Sequence, residues 1–165
     1  MTCRMSDENA LRGTTGLCFE EFEVGADYWT PGRTITEADF LMHSMFSGDW
    51  NSHHVDHVFA EAGTMGERIA HAALVLSVST GLFVRIRVFE NTIVALLEWT
   101  YRFKKPVLIG TRVQVHVRVA ATKPTSSPDR GIVTFEVSVV DEHDAEYASG
   151  EWTMLVLTRA GRELL

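Results

Sequence analysis

The segment from Ser47 to His57, SGDWNSHHVDH, places three of the chain's seven histidines and two aspartates within eleven residues. Residues of these types support two chemistries. Asp49 and His54 can act as an acid/base pair, one taking a proton and the other delivering one. His53 and His57 stand four apart and would share one side of a helix, a spacing suited to zinc. A third donor at a matching interval is missing, so no metal is expected and these two histidines read as solvated. His43 and His116 lie outside the segment and carry no expected role.

Regular elements must hold the pair in place. Ala26 to Ile35, ADYWTPGRTI, reads as extended, and TEAD at Thr36 to Asp39 has the cap-then-acid spacing that opens a helix through ADFLMHSMF. The polar SGDWN breaks that helix. A second is expected from Ser52 as N-cap, carrying Val55, Val58, Phe59 and Ala62 inward until Gly63 ends it. Ile69 to Phe83 is apolar or small nearly all the way round, the pattern of a buried central helix. Beyond it the period of the apolar residues falls from about 3.6 to 2. VQVHVRV, Val113 to Val119, puts four valines on one face and Gln114, His116 and Arg118 on the other. Thr92–Phe103, Ile132–Val140 and Glu151–Leu157 repeat this pattern between turn signals. The layout is α+β, with an antiparallel sheet that can wrap around the central helix.

Composition sets the surroundings. A chain of 165 residues with 45% apolar and 22% charged residues suits one soluble globular domain with a proper core. The formal net charge of −7 argues against nucleic acid as a partner, because phosphate binding needs a basic face. Cys3 and Cys18 show no metal or redox spacing and read as reduced thiols of a cytoplasmic protein. The longest apolar stretch, Ile69 to Val84, is interrupted by His71, Ser77, Ser79 and Thr80, so no membrane span is expected. Residues 1–18 read as a loose tail, without the apolar core of a signal peptide, and 19–165 as the domain.

The run TPGRTITEADF, followed by SGDWNSHHVDHVFAEAGTMGERIAHAALVLSVSTGL, closely resembles the MaoC-like dehydratases, the hot-dog-fold group that includes the (R)-specific enoyl-CoA hydratases. The likeness lies in the ordered Asp49, Asn51 and His54, then Arg68-Ile69-Ala70-His71, then the Thr80-Gly81 pair. It extends from about Phe19 to the last strand. Two positions depart from the family pattern: Ser52 stands where proline is usual, and Ala72 where glycine is usual. Serine can still cap a helix, and alanine keeps the backbone N–H and fits helical backbone.

The resemblance implies a single hot-dog domain, a homodimer, and an acyl thioester substrate presented by coenzyme A or an acyl carrier protein, with no cofactor. Hydration of a 2-enoyl thioester needs a proton taken from water, a proton delivered to the α carbon, and support for an enolate-like oxygen. Asp49 and His54 would supply the first two as a coupled unit, the sequence leaving open which is base and which acid. Asn51 would orient the acyl group or the water. The N–H of Ala72, at a helix start, would receive the thioester oxygen. Thr80 matches a family position where serine steadies the site by hydrogen bonding. For His71 a structural hydrogen bond and a direct contact with substrate are equally open. Lys104 and Lys105 are candidates for coenzyme A or carrier-arm phosphates, with plain solvation the commoner role for such a pair. Two other readings stand beside hydration: a hot-dog thioesterase, and a non-catalytic acyl-binding or heterodimer partner subunit.

Overall fold

The Thr36 cap does open a helix. In the computed structural model, which describes residues 16–164, α1 runs Glu37–Ser47, and the Thr36 N–H donates to Asp39 Oδ2 at 2.8 Å. Gly48 ends it in the left-handed conformation, φ +76°, with its N–H on the Ser44 carbonyl at 2.9 Å. That backbone turn favours glycine, and it swings the chain out of α1 and into the polar segment.

The single helix expected from Ser52 is two. α2 spans Ser52–Val55 and α3 spans His57–Ala62, with the chain extended at Asp56 between them. The break has a local cause. Asp56 accepts the Phe59 N–H at 3.1 Å and restarts the helix as its own cap. Asn51, and not Ser52, caps α2. The rotation turns Val58 and Phe59 outward, 65% and 48% exposed, and leaves Ala60 as the buried residue.

α4, Ala72–Val84, is the central helix. It starts three residues later than its apolar pattern, because Ile69 bridges to Leu108 and the Ala70 N–H donates to the Val107 carbonyl at 2.7 Å. Leu74, Val75, Val78, Leu82 and Phe83 are buried, whereas Ala73, Ser77 and Gly81 are exposed in the single chain. The helix is thus packed along one side, not enclosed all round.

Among the described residues seven strands, all paired antiparallel, cover that packed side. They are β1 Asp27–Trp29, β2 Arg33–Thr34, β3 Ile93–Trp99, β4 Arg102–Phe103, β5 Arg112–Pro124, β6 Arg130–Val140 and β7 Glu146–Leu157. The order is β1-β5-β6-β7-β3, with β2 on β5 and β4 on β7. A short last helix, α5, spans Arg159–Arg162. The valine alternation behaves as the pattern dictates: Val113, Val115, Val117 and Val119 are all at most 1% exposed. They join Phe135, Trp152 and Phe83 in one core, where Phe83 meets Trp152 edge-on with centroids 5.3 Å apart. Each such side chain, fully buried, contributes roughly 1.5–3 kcal/mol.

The strand expected over Thr92–Phe103 is divided into β3 and β4. Thr100 lies so close to Gly150 of β7 that a Cβ on Gly150 would stand 1.9 Å from the Thr100 carbonyl oxygen. β3 is also an edge of the sheet, and Ile93, Val94, Leu96, Leu97 and Trp99 on it are all exposed. The tail expected over 1–18 lies outside the described residues as far as residue 15. From Gly16 the chain is packed: Leu17 N–H donates to the Val88 carbonyl at 2.8 Å, and Cys18 is fully buried with a free thiol. Among the described residues no helix is long and apolar enough to cross a membrane.

Candidate active site

Between α1 and α2 the backbone binds the polar side chains tightly. The Asp49 N–H donates to Ser47 Oγ at 3.1 Å, and the Asn51 N–H donates to Asp49 Oδ1 at 3.1 Å. Oδ1 is therefore held, and Oδ2 is left to face inward. Asn51 Oδ1 accepts the His53 N–H at 3.1 Å as the cap of α2, which leaves the side-chain NH2 of Asn51 as its group for a ligand.

α2 carries His54 back over the chain that leads into α4. His54 Nδ1 lies 2.7 Å from the Ile69 carbonyl oxygen. A carbonyl only accepts, so Nδ1 holds a proton, and in the neutral ring Nε2 carries the lone pair. That lone pair faces Asp49 Oδ2 across 3.9 Å. The gap is too long for a direct hydrogen bond. It is close to the roughly 4.4 Å spanned by one water that donates to two acceptors at about 2.8 Å each. The Asp49 side chain is half exposed and that of His54 only 15%, so the pair opens to solvent from the aspartate side.

His71, the N-cap of α4, lies behind the pair and is 2% exposed. Its Nε2 is 3.1 Å from the Asp49 carbonyl oxygen and 3.2 Å from Ser44 Oγ. Its ring stacks on His54, with centroids 3.8 Å apart, and tilts against His43 at 4.6 Å. Burial is the main cause that pushes the His71 imidazole below its ordinary pKa, which favours the neutral form. Of the two options open for His71, this burial leaves little surface for a direct contact with substrate, and Nε2 makes the structural hydrogen bond. His43 and Ser44, to which no role was assigned, line the back of the site. Ser44 left a faint sequence signal as a serine on the inward side of α1.

Thr80 stands further along α4. It lies two turns along α4 from Ala72, roughly 12 Å away along the axis. Its hydroxyl donates to the Leu76 carbonyl at 2.9 Å, the usual back-bond of a helical threonine. Ala72 is exposed and opens α4 in helical backbone, which its methyl group tolerates. Its N–H belongs to the first helical turn, whose amides have no partner within the helix. Lys104 is paired with Glu146, Nζ to Oε1 at 2.5 Å, so a phosphate would have to displace a carboxylate there. Lys105 is exposed. Arg68 forks onto Glu37, Nη1 to Oε1 at 2.8 Å and Nη2 to Oε2 at 2.5 Å, and ties the chain before α4 to the first turn of α1.

His53 and His57 fall on different helices and are both exposed. Among the described residues, those whose possible ligand atoms gather within 4.8 Å of one another are Asp49, His54 and His71. His71 Nε2 is already occupied by a carbonyl and a hydroxyl, and its Nδ1 is buried without a partner. Two free donors remain, fewer than zinc usually takes from a protein. Extensive chelation should leave any activity of the purified protein unchanged; a loss restored by zinc would show that these residues hold a metal.

A groove of about 520 Å³ runs between α1 and α4, walled by Met42, Phe46, Leu74 and Val78 and reaching His43 at the back of the site. Arg33 and Arg85 also border it, and Arg33 is ion-paired with Asp39. A second depression, about 590 Å³ and bordered by Lys104 and by charged residues such as Glu136 and Glu151, includes none of Asp49, Asn51, His54, His71, Ala72 and Thr80.

Comparison with known proteins gives this arrangement relatives. The MaoC like domain family matches residues 21–141. Protein MaoC of Klebsiella aerogenes is 31% identical over 140 residues, which cover 85% of this chain and only 38% of that longer protein. The R-hydratase PhaJ1 from Pseudomonas aeruginosa superposes with a TM-score of 0.74 at 25% identity, over 88% of this chain and 89% of that one. The (R)-hydratase from A. caviae involved in PHA biosynthesis gives a TM-score of 0.69 at 25% identity, over 82% of this chain and 97% of its own. A Mycobacterium tuberculosis protein described as a double hot-dog fold shares the architecture, with a TM-score of 0.75 at 19% identity, over 87% of this chain and 44% of its own. With its antiparallel sheet packed on one long helix, its ordered Asp49, Asn51 and His54, and these relatives, the chain is a hot-dog-fold member of the MaoC like domain family.

Proposed function

We propose that the chain is a hydratase or dehydratase that interconverts 2-enoyl and 3-hydroxyacyl thioesters, with Asp49 and His54 as its working pair. The observation that carries this reading is the facing pair itself. A carboxylate oxygen and the imidazole nitrogen Nε2 stand 3.9 Å apart, each oriented by a backbone hydrogen bond on its other atom. Such a pair grips one water, takes a proton from it as the oxygen adds to C3, and returns a proton to Cα. Because the two groups act on one water, the proton inventory belongs to both together. The first-turn amides of α4 at Ala72 meet the thioester oxygen as negative charge develops on it, with the helix dipole adding to their effect. The Asn51 side-chain NH2 orients the bound water or the acyl group. The apolar groove along α4 takes the acyl chain. Two structural neighbours described as R-hydratases support the same chemistry.

A panel of 2-enoyl-CoA thioesters of different length and branching tests the proposal by loss of the conjugated thioester absorbance. Turnover of at least one is expected. No turnover of any, with carrier-protein thioesters equally inert, would leave the non-catalytic partner subunit as the better reading.

The working unit is a homodimer. β3 is an edge strand with Ile93, Val94, Leu96, Leu97 and Trp99 all exposed, and an apolar edge of this kind is a template for pairing with a second copy. Light scattering behind a sizing column should give about twice the 18.5 kDa chain mass. Leu97→Lys should shift the protein to monomer; a wild type that elutes as a stable, active monomer would exclude the dimer.

A further inference from the structure

Two questions about His71 are left by the reaction just described: why a histidine is buried behind the pair, and why one of its nitrogens has no partner. Nε2 contacts the Asp49 carbonyl at 3.1 Å, which accepts only, so Nε2 carries the proton and Nδ1 the lone pair. Nδ1 is buried and unpartnered, which a neutral ring tolerates far better than a charged one. The ring meanwhile lies flat on His54 at 3.8 Å and 28°. One side chain therefore touches both halves of the pair, Asp49 by its backbone and His54 by its ring face. Phe40, packed edge-on at 6.2 Å, and His43, tilted at 4.6 Å, close its other sides. The titratable groups that face it are His54, His43 and Asp49.

We infer that His71 is a positioning residue, neutral and protonated on Nε2, which sets the separation of Asp49 Oδ2 and His54 Nε2 by holding the Asp49 carbonyl and the plane of the His54 ring at once. This rests on the hydratase reading for its catalytic consequence and not for its geometry. A residue at this place has no route to substrate, so its loss acts on the pair and not on binding. The separation of the two catalytic atoms, 3.9 Å, is close to that bridged by one water, and misplacement by about 1 Å costs on the order of 10²-fold in rate.

The test joins histidine side-chain NMR with kinetics of two variants. In the wild type near neutral pH, His71 should appear as the neutral Nε2–H tautomer and His54 as the Nδ1–H tautomer, with His71→Gln and His54→Gln serving to assign the signals. His71→Phe keeps a stacked ring and loses the donor. It should lower kcat roughly 10- to 100-fold at little changed KM and shift the His54 resonances. His71→Gln, whose amide nitrogen reaches about as far as Nε2, should recover much of that loss. A charged or Nδ1–H His71 in the wild type overturns the inference even if neither variant folds. So does a folded His71→Phe with unchanged kcat and unmoved His54 signals, or one that raises KM alone. The predicted tautomers in a wild type that hydrates no enoyl thioester would support the positioning and remove the hydratase reading.

Discussion

Asp49→Asn is expected to lose at least roughly 10²-fold in hydration rate while folding normally, because it keeps the shape of the side chain and removes its ability to take a proton. The amide retains an oxygen for the Asn51 N–H, which the native Asp49 Oδ1 accepts at 3.1 Å, so the loop has no reason to rearrange. His54→Ala should cost as much, since it removes the Nε2 lone pair that faces Asp49. The double variant should be little worse than either single one, as expected of residues that act as one unit. The loss corresponds to about 2.7 kcal/mol or more of transition-state stabilisation. Near-wild-type turnover in either folded single variant would show that the residue is not part of the chemistry.

The largest expected effect on stability lies away from the site. Gly150→Ala would put a Cβ 1.9 Å from the Thr100 carbonyl oxygen, a clash of backbone with side-chain root that no rotamer relieves. Separating β7 from the β3–β4 bend would also stretch the bond from the Thr100 N–H to the Glu151 carbonyl, 2.9 Å in the native chain. The cost should reach the top of the overpacking range, about 3 kcal/mol. In a domain of this size that lowers Tm by roughly 10 °C. Thermal unfolding by circular dichroism measures it, and a variant that melts within about 2 °C of the wild type would show that the strands part without cost.

What the sequence made legible was whatever depends on near neighbours along the chain. The valine alternation of β5, the Thr36–Asp39 cap of α1 and the order of Asp49, Asn51 and His54 are all short-range signals, and each corresponds to an element or to a group of residues brought together in the fold. Long-range contacts were not legible in the same way. The division of β3 from β4 depends on Gly150, fifty residues downstream of Thr100. The apolar pattern of the second helix counted Val58 and Phe59 as core, because it missed that Asp56 would act as a cap and rotate α3. His71 was ambiguous for a related reason. Its partners are Ser44 and the Asp49 carbonyl, a backbone group that carries no mark in the sequence. Thr80, matched by its place in a motif, donates instead to its own helix.

The most direct measurement follows the oxygen of the attacking water. A short 2-enoyl-CoA is incubated with the protein in water labelled with heavy oxygen, and the products are read by mass spectrometry. If Asp49 and His54 add water across the double bond, the label appears in the 3-hydroxyl group of an intact thioester, and Asp49→Asn abolishes it. Label in a free carboxylate would instead mean that the pair drives hydrolysis at the carbonyl, and the hydratase reading would be wrong.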